Sequence, residues 1–301
     1  MKNLYIIIVF LLALNLSAQQ DPQYTQYMYN MNVINPAYAG SKENLSFGLL
    51  YRTQWEGLDG APKTGTFFGH SPVGRNVGLG LSVISDEIGP VKETNVYADF
   101  SYTVPLGSVN KLAFGLKAGA TFHDIGLTGL DLINANDPFF NENINSTTPN
   151  IGAGVFYYTE NYYLAVSIPN ILDSVHLDAN GNNIGSETMH YFVTGGYVFQ
   201  LSKNTKLKPS FLVKSALDAP TSFDVNINAL FYEKFEIGAS YRLEDSFSGL
   251  INFAITPGLR IGYAYDSVTS DIKAYAPASH EFMILFDLNF PKKVSRSPRY
   301  F

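Results

Sequence analysis

Alternation of apolar and polar residues organises this chain. Lys111 to Asp124 reads KLAFGLKAGATFHD. Leu112, Phe114, Leu116, Ala118, Ala120 and Phe122 fall on one face, and Lys111, Ala113, Gly115, Lys117, Gly119, Thr121 and His123 on the other. A period of two sustained over a dozen residues predicts a strand. Ser222 to Tyr232 repeats the pattern, with Phe223, Val225, Ile227, Ala229 and Phe231 against Asp224, Asn226 and Asn228. Thr94 to Val104 does so again, with Val96, Ala98, Phe100 and Tyr102 against Asn95, Asp99, Ser101 and Thr103. Applied to the whole chain, the same reading predicts fourteen strands: 44–54, 63–70, 76–86, 94–104, 111–123, 150–159, 162–169, 189–200, 206–215, 222–232, 235–243, 248–255, 258–265 and 279–290.

A soluble sandwich and a membrane barrel share this alternation and differ in which face meets water. Many of the predicted strands reach about ten residues, the length of a tilted membrane strand. The gaps between them are asymmetric. Numbered in order, the even gaps are short, such as 71–75, 105–110, Glu160-Asn161, Glu233-Lys234 and Thr256-Pro257, whereas the long gaps at 124–149, 170–188 and 266–278 are all odd. Outer-membrane barrels place short turns in the periplasm and longer loops outside. The expectation is therefore an all-β fold, a transmembrane antiparallel β-barrel of about fourteen strands with an N-terminal periplasmic or plug segment. Twelve or sixteen strands fit the same pattern, and a secreted soluble β-protein remains an alternative.

The leader agrees with export. Lys2 precedes an apolar run from Leu4 to Leu14, and Leu16-Ser17-Ala18 offers a small-residue cleavage site, the pattern of a secretory signal peptide. A retained anchor is the alternative. The expected division is 1–18 signal peptide, 19–43 N-terminal plug or docking segment, 44–290 barrel and 291–301 periplasmic C-terminal tail, with the outer membrane as the location. The final expected strand, HEFMILFDLNF, ends on the aromatic Phe290. The chain holds no cysteine, which excludes a disulfide framework, a thiolate metal site and a thiol nucleophile. A net charge of −6 and the lack of a basic stripe argue against nucleic acid as a partner. Tyr 20 and Phe 22 against Trp 1 suit strands and membrane interfaces.

Little here points to chemistry. His70, His123, His176, His190 and His280 are scattered, without ligand spacing, and no G-x-S-x-G elbow exists. No enzymatic activity, metal or cofactor is expected. Two Asx-rich stretches, 131–146 and 177–187, fit exposed turns; the second, with Asp178, Asn180, Asn182 and Glu187, faintly resembles a calcium loop but lacks its carboxylates and spacing. Arg52, Arg242, Arg260, Lys117 and Lys214 fall on polar faces, so they belong in the lumen, where Asp99, Asp224 and Glu236 could pair with them.

The segment DPQYTQYMYNMNVINPAYAG, residues 21–40, precedes the first strand and packs amides and aromatics densely. It resembles the N-terminal signature of the PorP/SprF family of Bacteroidetes outer-membrane proteins. The matching positions are Gln23-Tyr24-x-Gln26-Tyr27, Asn35-Pro36-Ala37-Tyr38-Ala39-Gly40 and Tyr51-Arg52-x-Gln54-Trp55, followed by Gly89-Pro90-Val91 and the ending Ser297-Pro298-Arg299-Tyr300-Phe301. The resemblance implies a non-enzymatic role in the type IX secretion and gliding-motility apparatus. Its implied partners are outer-membrane lipid, a secreted client with a C-terminal sorting domain, such as a gliding adhesin, and periplasmic ring or peptidoglycan-linked secretion subunits. An outer-membrane channel or small-solute transporter is the alternative. Within the segment, Gln23, Tyr24, Gln26, Tyr27, Asn35, Pro36, Tyr38 and Gly40 are the expected plug or docking residues, with Pro36 and Gly40 setting the turn into the first strand. Tyr51, Trp55 and Phe290 are the expected membrane-interface aromatics.

Overall fold

The computed structural model describes residues 22–42, 44–129, 142–172, 174–179, 182–187, 189–216 and 220–288. Fourteen strands form one antiparallel sheet that closes on itself. They are β1 (Leu45–Thr53), β2 (Lys63–Pro72), β3 (Val77–Ile88), β4 (Val91–Leu106), β5 (Asn110–Ile125), β6 (Ile144–Tyr158), β7 (Tyr162–Ile168), β8 (His190–Tyr197), β9 (Thr205–Ala216), β10 (Ser222–Phe231), β11 (Phe235–Arg242), β12 (Ser246–Thr256), β13 (Leu259–Val268) and β14 (Ala278–Leu288). Each pairs with its sequence neighbours, and β1 pairs with β14 from Leu45↔Leu288 to Thr53↔His280. That pairing closes the barrel and removes the free edges an open sheet would expose.

A short strand, Phe199–Ser202, continues β8 beyond a break at Val198 and pairs with the start of β9. The pairing with β9 stops after Gly196↔Ser210 and resumes at Phe199↔Leu207, so Pro209 falls within the interruption. Proline has no N–H to give to the ladder, which accounts for the interruption there. The expected strand 189–200 is therefore two pieces.

The faces are inverted relative to a soluble protein. Leu49, Leu79, Leu81, Phe100, Phe114, Leu116, Ile151, Ile227 and Ile251 point outward and are exposed, whereas Thr66, Ser82, Asn95, Asp99, Lys117, Asn226, Asn228 and Glu281 point inward and are buried. An apolar exterior around a polar interior is the pattern of a barrel whose solvent is lipid. Every long connection lies at one end, and tight turns such as 107–109, 203–204 and 257–258 lie at the other.

Two regions read as loops contain strand. β5 and β6 run on to Ile125 and from Ile144, so most of the stretch after Glu142 that was read as connection is paired sheet. Within the expected loop 170–188, Ser174–Ala179 and Asn182–Glu187 pair as a separate hairpin. Ser, Thr and Asn dominate both places, and these residues mark turns only where no neighbouring strand extends to meet them. The leader, the C-terminal tail with Phe290, and the side chains of 177–187 lie outside the described residues.

Candidate functional site

The chain from Pro22 to Ser41 lies inside the barrel. Its turns are single and short: 3₁₀ turns at Tyr27–Tyr29 and Pro36–Tyr38 and one α-turn at Met31–Ile34. Such short turns leave most of their N–H and C=O groups without internal partners, and buried backbone groups must find others. Here the barrel wall supplies them. Glu281 accepts from the backbone N–H of Thr25 through Oε2 and of Gln26 through Oε1, each at 2.8 Å. Lys117 Nζ donates to the Asn32 carbonyl at 3.3 Å and Ser167 Oγ to the Ile34 carbonyl at 2.6 Å. Ser101 Oγ donates to the Ala39 carbonyl at 2.5 Å, and the Gly40 N–H donates to His70 Nδ1 at 3.2 Å.

The side chains named from the sequence come together in this bore. Gln23 Oε1 accepts from Arg242 Nη1 at 2.8 Å, and the Tyr24 hydroxyl lies 2.9 Å from Thr66 Oγ1. Gln26 meets Glu281. Tyr27, 1 % exposed, sits with its hydroxyl between Ser210 and Asn226. Asn35 caps the last turn, its Oδ1 accepting from the Ala37 N–H at 2.9 Å, while its Nδ2 donates to the Val155 carbonyl at 3.1 Å. Pro36 occupies the first position of that turn, where a missing N–H costs nothing. Tyr38 packs edge-on against His70 and Phe156.

Glycines in the wall set how closely the segment seats. A Cβ at Gly115 would lie 2.0 Å from the Ala37 nitrogen, at Gly154 2.1 Å from Asn35 Oδ1, and at Gly78 2.2 Å from the Ala39 carbonyl oxygen. Gly40 itself has φ +66° and lies against Gly78, so both its backbone angle and its space exclude a side chain. The trailing half, residues 35–40, is thus fitted to β3–β6 at backbone contact.

Buried ion pairs surround the segment. Arg52 lies 2.6 Å from Asp266 and 3.2 Å from Glu281, and Arg242 lies 2.8 Å from Asp224. Arg260 pairs with Glu236 at 3.2 Å and Lys117 with Asp99 at 2.8 Å. Charges this deep persist because they are paired and hydrogen-bonded. Lys214 stands over the Phe192 ring. The sequence reading missed Thr25, Tyr29, Asp266 and Glu281. Glu281 is legible, since alternation puts it opposite Phe282; Asp266 lies just past the expected strand 258–265, which in the structure runs on three residues to Val268.

The remaining candidates lie elsewhere. Tyr51 points outward near the long-loop end, and Trp55 sits in the β1–β2 connection with φ 52°, its N–H donating to Ser279 Oγ. His280 faces outward between Tyr263 and Glu56, while His70, His123 and His190 are buried in the wall. Among the described residues no group of three or more His, Asp or Glu side chains is placed to hold a metal ion.

Comparison with solved structures returns outer-membrane barrels. A monoaromatic hydrocarbon channel, CymD, superposes with TM-score 0.53 at 12% identity over 89% of this chain and 93% of its own. The toluene transporter TbuX of Ralstonia pickettii gives 0.53 at 12% identity over 85% and 92%. The toluene transporter TodX of P. putida gives 0.50 at 10% identity over 87% and 94%. At these identities the likeness is one of fold, an outer-membrane β-barrel. No curated protein matches the sequence. The family model for the type IX secretion system membrane protein PorP/SprF matches residues 16–286, covering both the inner segment and the barrel, and the chain belongs to that family of outer-membrane proteins.

Proposed function

We propose that this protein is a non-enzymatic outer-membrane component of the type IX secretion system. It assists the secretion or surface anchoring of large proteins with C-terminal sorting domains, gliding adhesins among them. The observation that carries this reading is the family match across 16–286, whose N-terminal part is the segment buried in the bore. A barrel occupied along its axis by its own chain suits an accessory that grips partners better than an open pore. In this reading residues 23–40 plug the barrel, and the short-turn end meets periplasmic ring subunits. Tyr51 and Trp55 hold the outer rim at the lipid interface.

The second reading is a small-solute channel, favoured by the fold shared with the hydrocarbon channel and toluene transporters. There the inner segment would act as a gate. Fold alone does not choose between the two.

Affinity capture of the tagged protein from native outer membranes, with mass spectrometry, separates them. The wild-type chain is compared with one lacking 21–40. Co-recovery of proteins with C-terminal sorting domains, or of periplasmic ring subunits, supports the secretion role. A barrel that comes down alone, yet conducts ions in planar bilayers, overturns it in favour of the channel.

A further inference from the structure

The inner segment has a direction, and the strand positions it touches reveal it. Its leading residues contact the long-loop end. Gln23 and the Tyr24 carbonyl are bound by Arg242, the last residue of β11 before the connection 243–245. Thr25 is bound by Arg52, next to the end of β1, by Asp266, near the end of β13, and by Glu281, near the start of β14. All four wall residues border odd-numbered connections, the set that includes every long loop. The trailing residues contact the opposite end. Gly40 donates its N–H to His70 near the end of β2, and Lys42 pairs with Asp287 beside the last residue of β14. Ala39 abuts Gly78 at the start of β3. These positions border the tight turns. Between these ends the contacts span the wall, Tyr29 reaching Glu236 beside the turn 232–234 and Ile34 meeting Ser167 beside the connection after β7.

Long loops lie outside the cell and short turns in the periplasm. We infer that the segment is threaded head-up: residues 22–26 occupy the outer mouth, with the half-buried Pro22 and Gln23 outermost, and residues 39–42 close the periplasmic end. The two halves are held by different means. The trailing half is locked by backbone contact with glycines, which no small displacement preserves. The leading half rests on hydrogen bonds to side chains that are also ion-paired among themselves, Arg52 with Asp266 and Glu281, Arg242 with Asp224. Each guanidinium of the seat therefore keeps a carboxylate partner if the leading end leaves it. The consequence is an interaction surface with a defined side. A ligand that competes for residues 22–26 arrives from outside, and its chemistry is that of an extended peptide. The seat offers a carboxylate to two successive backbone N–H groups and a guanidinium to a carbonyl. This orientation stands apart from the secretion reading and holds equally for a channel.

The chain's lack of cysteine makes the test direct. Single variants Pro22→Cys, Asp271→Cys in an exposed long connection, and Asn204→Cys in an exposed tight turn are expressed as the full chain. Intact cells are treated with a small membrane-impermeant maleimide. Head-up threading predicts labelling of Pro22→Cys at a level comparable to Asp271→Cys, with Asn204→Cys labelled only after the outer membrane is permeabilised. Labelling of Pro22→Cys only after permeabilisation overturns the inference, and so does a failure to label in the folded barrel. Heat-modifiable gel mobility confirms that each variant is inserted, and Gln23→Cys replaces Pro22→Cys if the latter fails that check.

Discussion

Lys117 on β5 stands directly opposite Asp99 on β4, with Nζ 2.8 Å from Oδ1, and the same ammonium donates to the Asn32 carbonyl of the inner segment. One side chain thus neutralises the wall and holds the chain within it. Lys117→Met leaves Asp99 buried without its cation, and breaking a buried pair from one side costs about 3–5 kcal/mol. The double variant Lys117→Met/Asp99→Leu removes both charges and is expected to recover most of that loss. Denaturant unfolding of the inserted barrel, followed by gel mobility, checks both values.

The residue before Lys117 faces the other medium. Leu116 is 63 % exposed on the outer wall, where lipid is its solvent. Leu116→Arg places a charge on that face and is expected to cost about 2–4 kcal/mol at the midplane. Lys117→Arg keeps its charge in the polar bore and should cost less than half as much. The same unfolding measurement compares them, and equal costs would contradict the assignment of faces.

The glycine contacts predict how the bore responds to crowding. Gly115→Val and Gly154→Val each put a side chain where Ala37 or Asn35 now sits. The expected result is a displaced trailing half and a several-fold rise in ion conductance over the wild type in planar bilayers. Gly249 faces outward with open space around its α-carbon, so Gly249→Ala is the matched control and should leave conductance unchanged. A Gly115→Val barrel that inserts normally and conducts no more than wild type would show that the bore is closed by something else.

Most of the barrel was legible because one period of two recurs along the chain, and because long and short gaps alternate in parity. Faces such as Phe114/Leu116 against Gly115/Lys117 are written residue by residue, and the pairing of Lys117, Arg242 and Arg260 with Asp99, Asp224 and Glu236 follows once all six face inward. What stayed hidden depends on the third dimension. The segment 22–41 has no strand or helix period, because its backbone is satisfied by isolated short turns and by wall side chains rather than by one continuous ladder. Its direction through the bore is set by contacts such as Arg242 with Gln23, between residues far apart in sequence. The place of Pro209 in the gap between Gly196↔Ser210 and Phe199↔Leu207, where β8 is split from its continuation, is likewise a matter of register.

The deepest part of the inner segment offers the sharpest energetic test. The Tyr29 hydroxyl donates to Glu236, whose carboxylate also accepts from Asn228 Nδ2 at 2.6 Å and pairs with Arg260 at 3.2 Å. Lys208 Nζ stands 5.4 Å from the centre of the Tyr29 ring. Tyr29→Phe removes one bond to a charged acceptor that keeps two other partners, so a loss of about 1.5–3 kcal/mol is expected. Glu236→Leu is different in kind. It leaves Arg260 and Lys208 facing each other with no carboxylate between them, and should cost about 3–5 kcal/mol. Because Tyr29 reaches the wall through that same carboxylate, the two losses should not add, and a double-mutant cycle isolates the shared part. Coupling of at least 1 kcal/mol, together with more frequent conductance bursts in Tyr29→Phe, is the expected outcome. Strict additivity would mean that Tyr29 is held in the bore by packing alone.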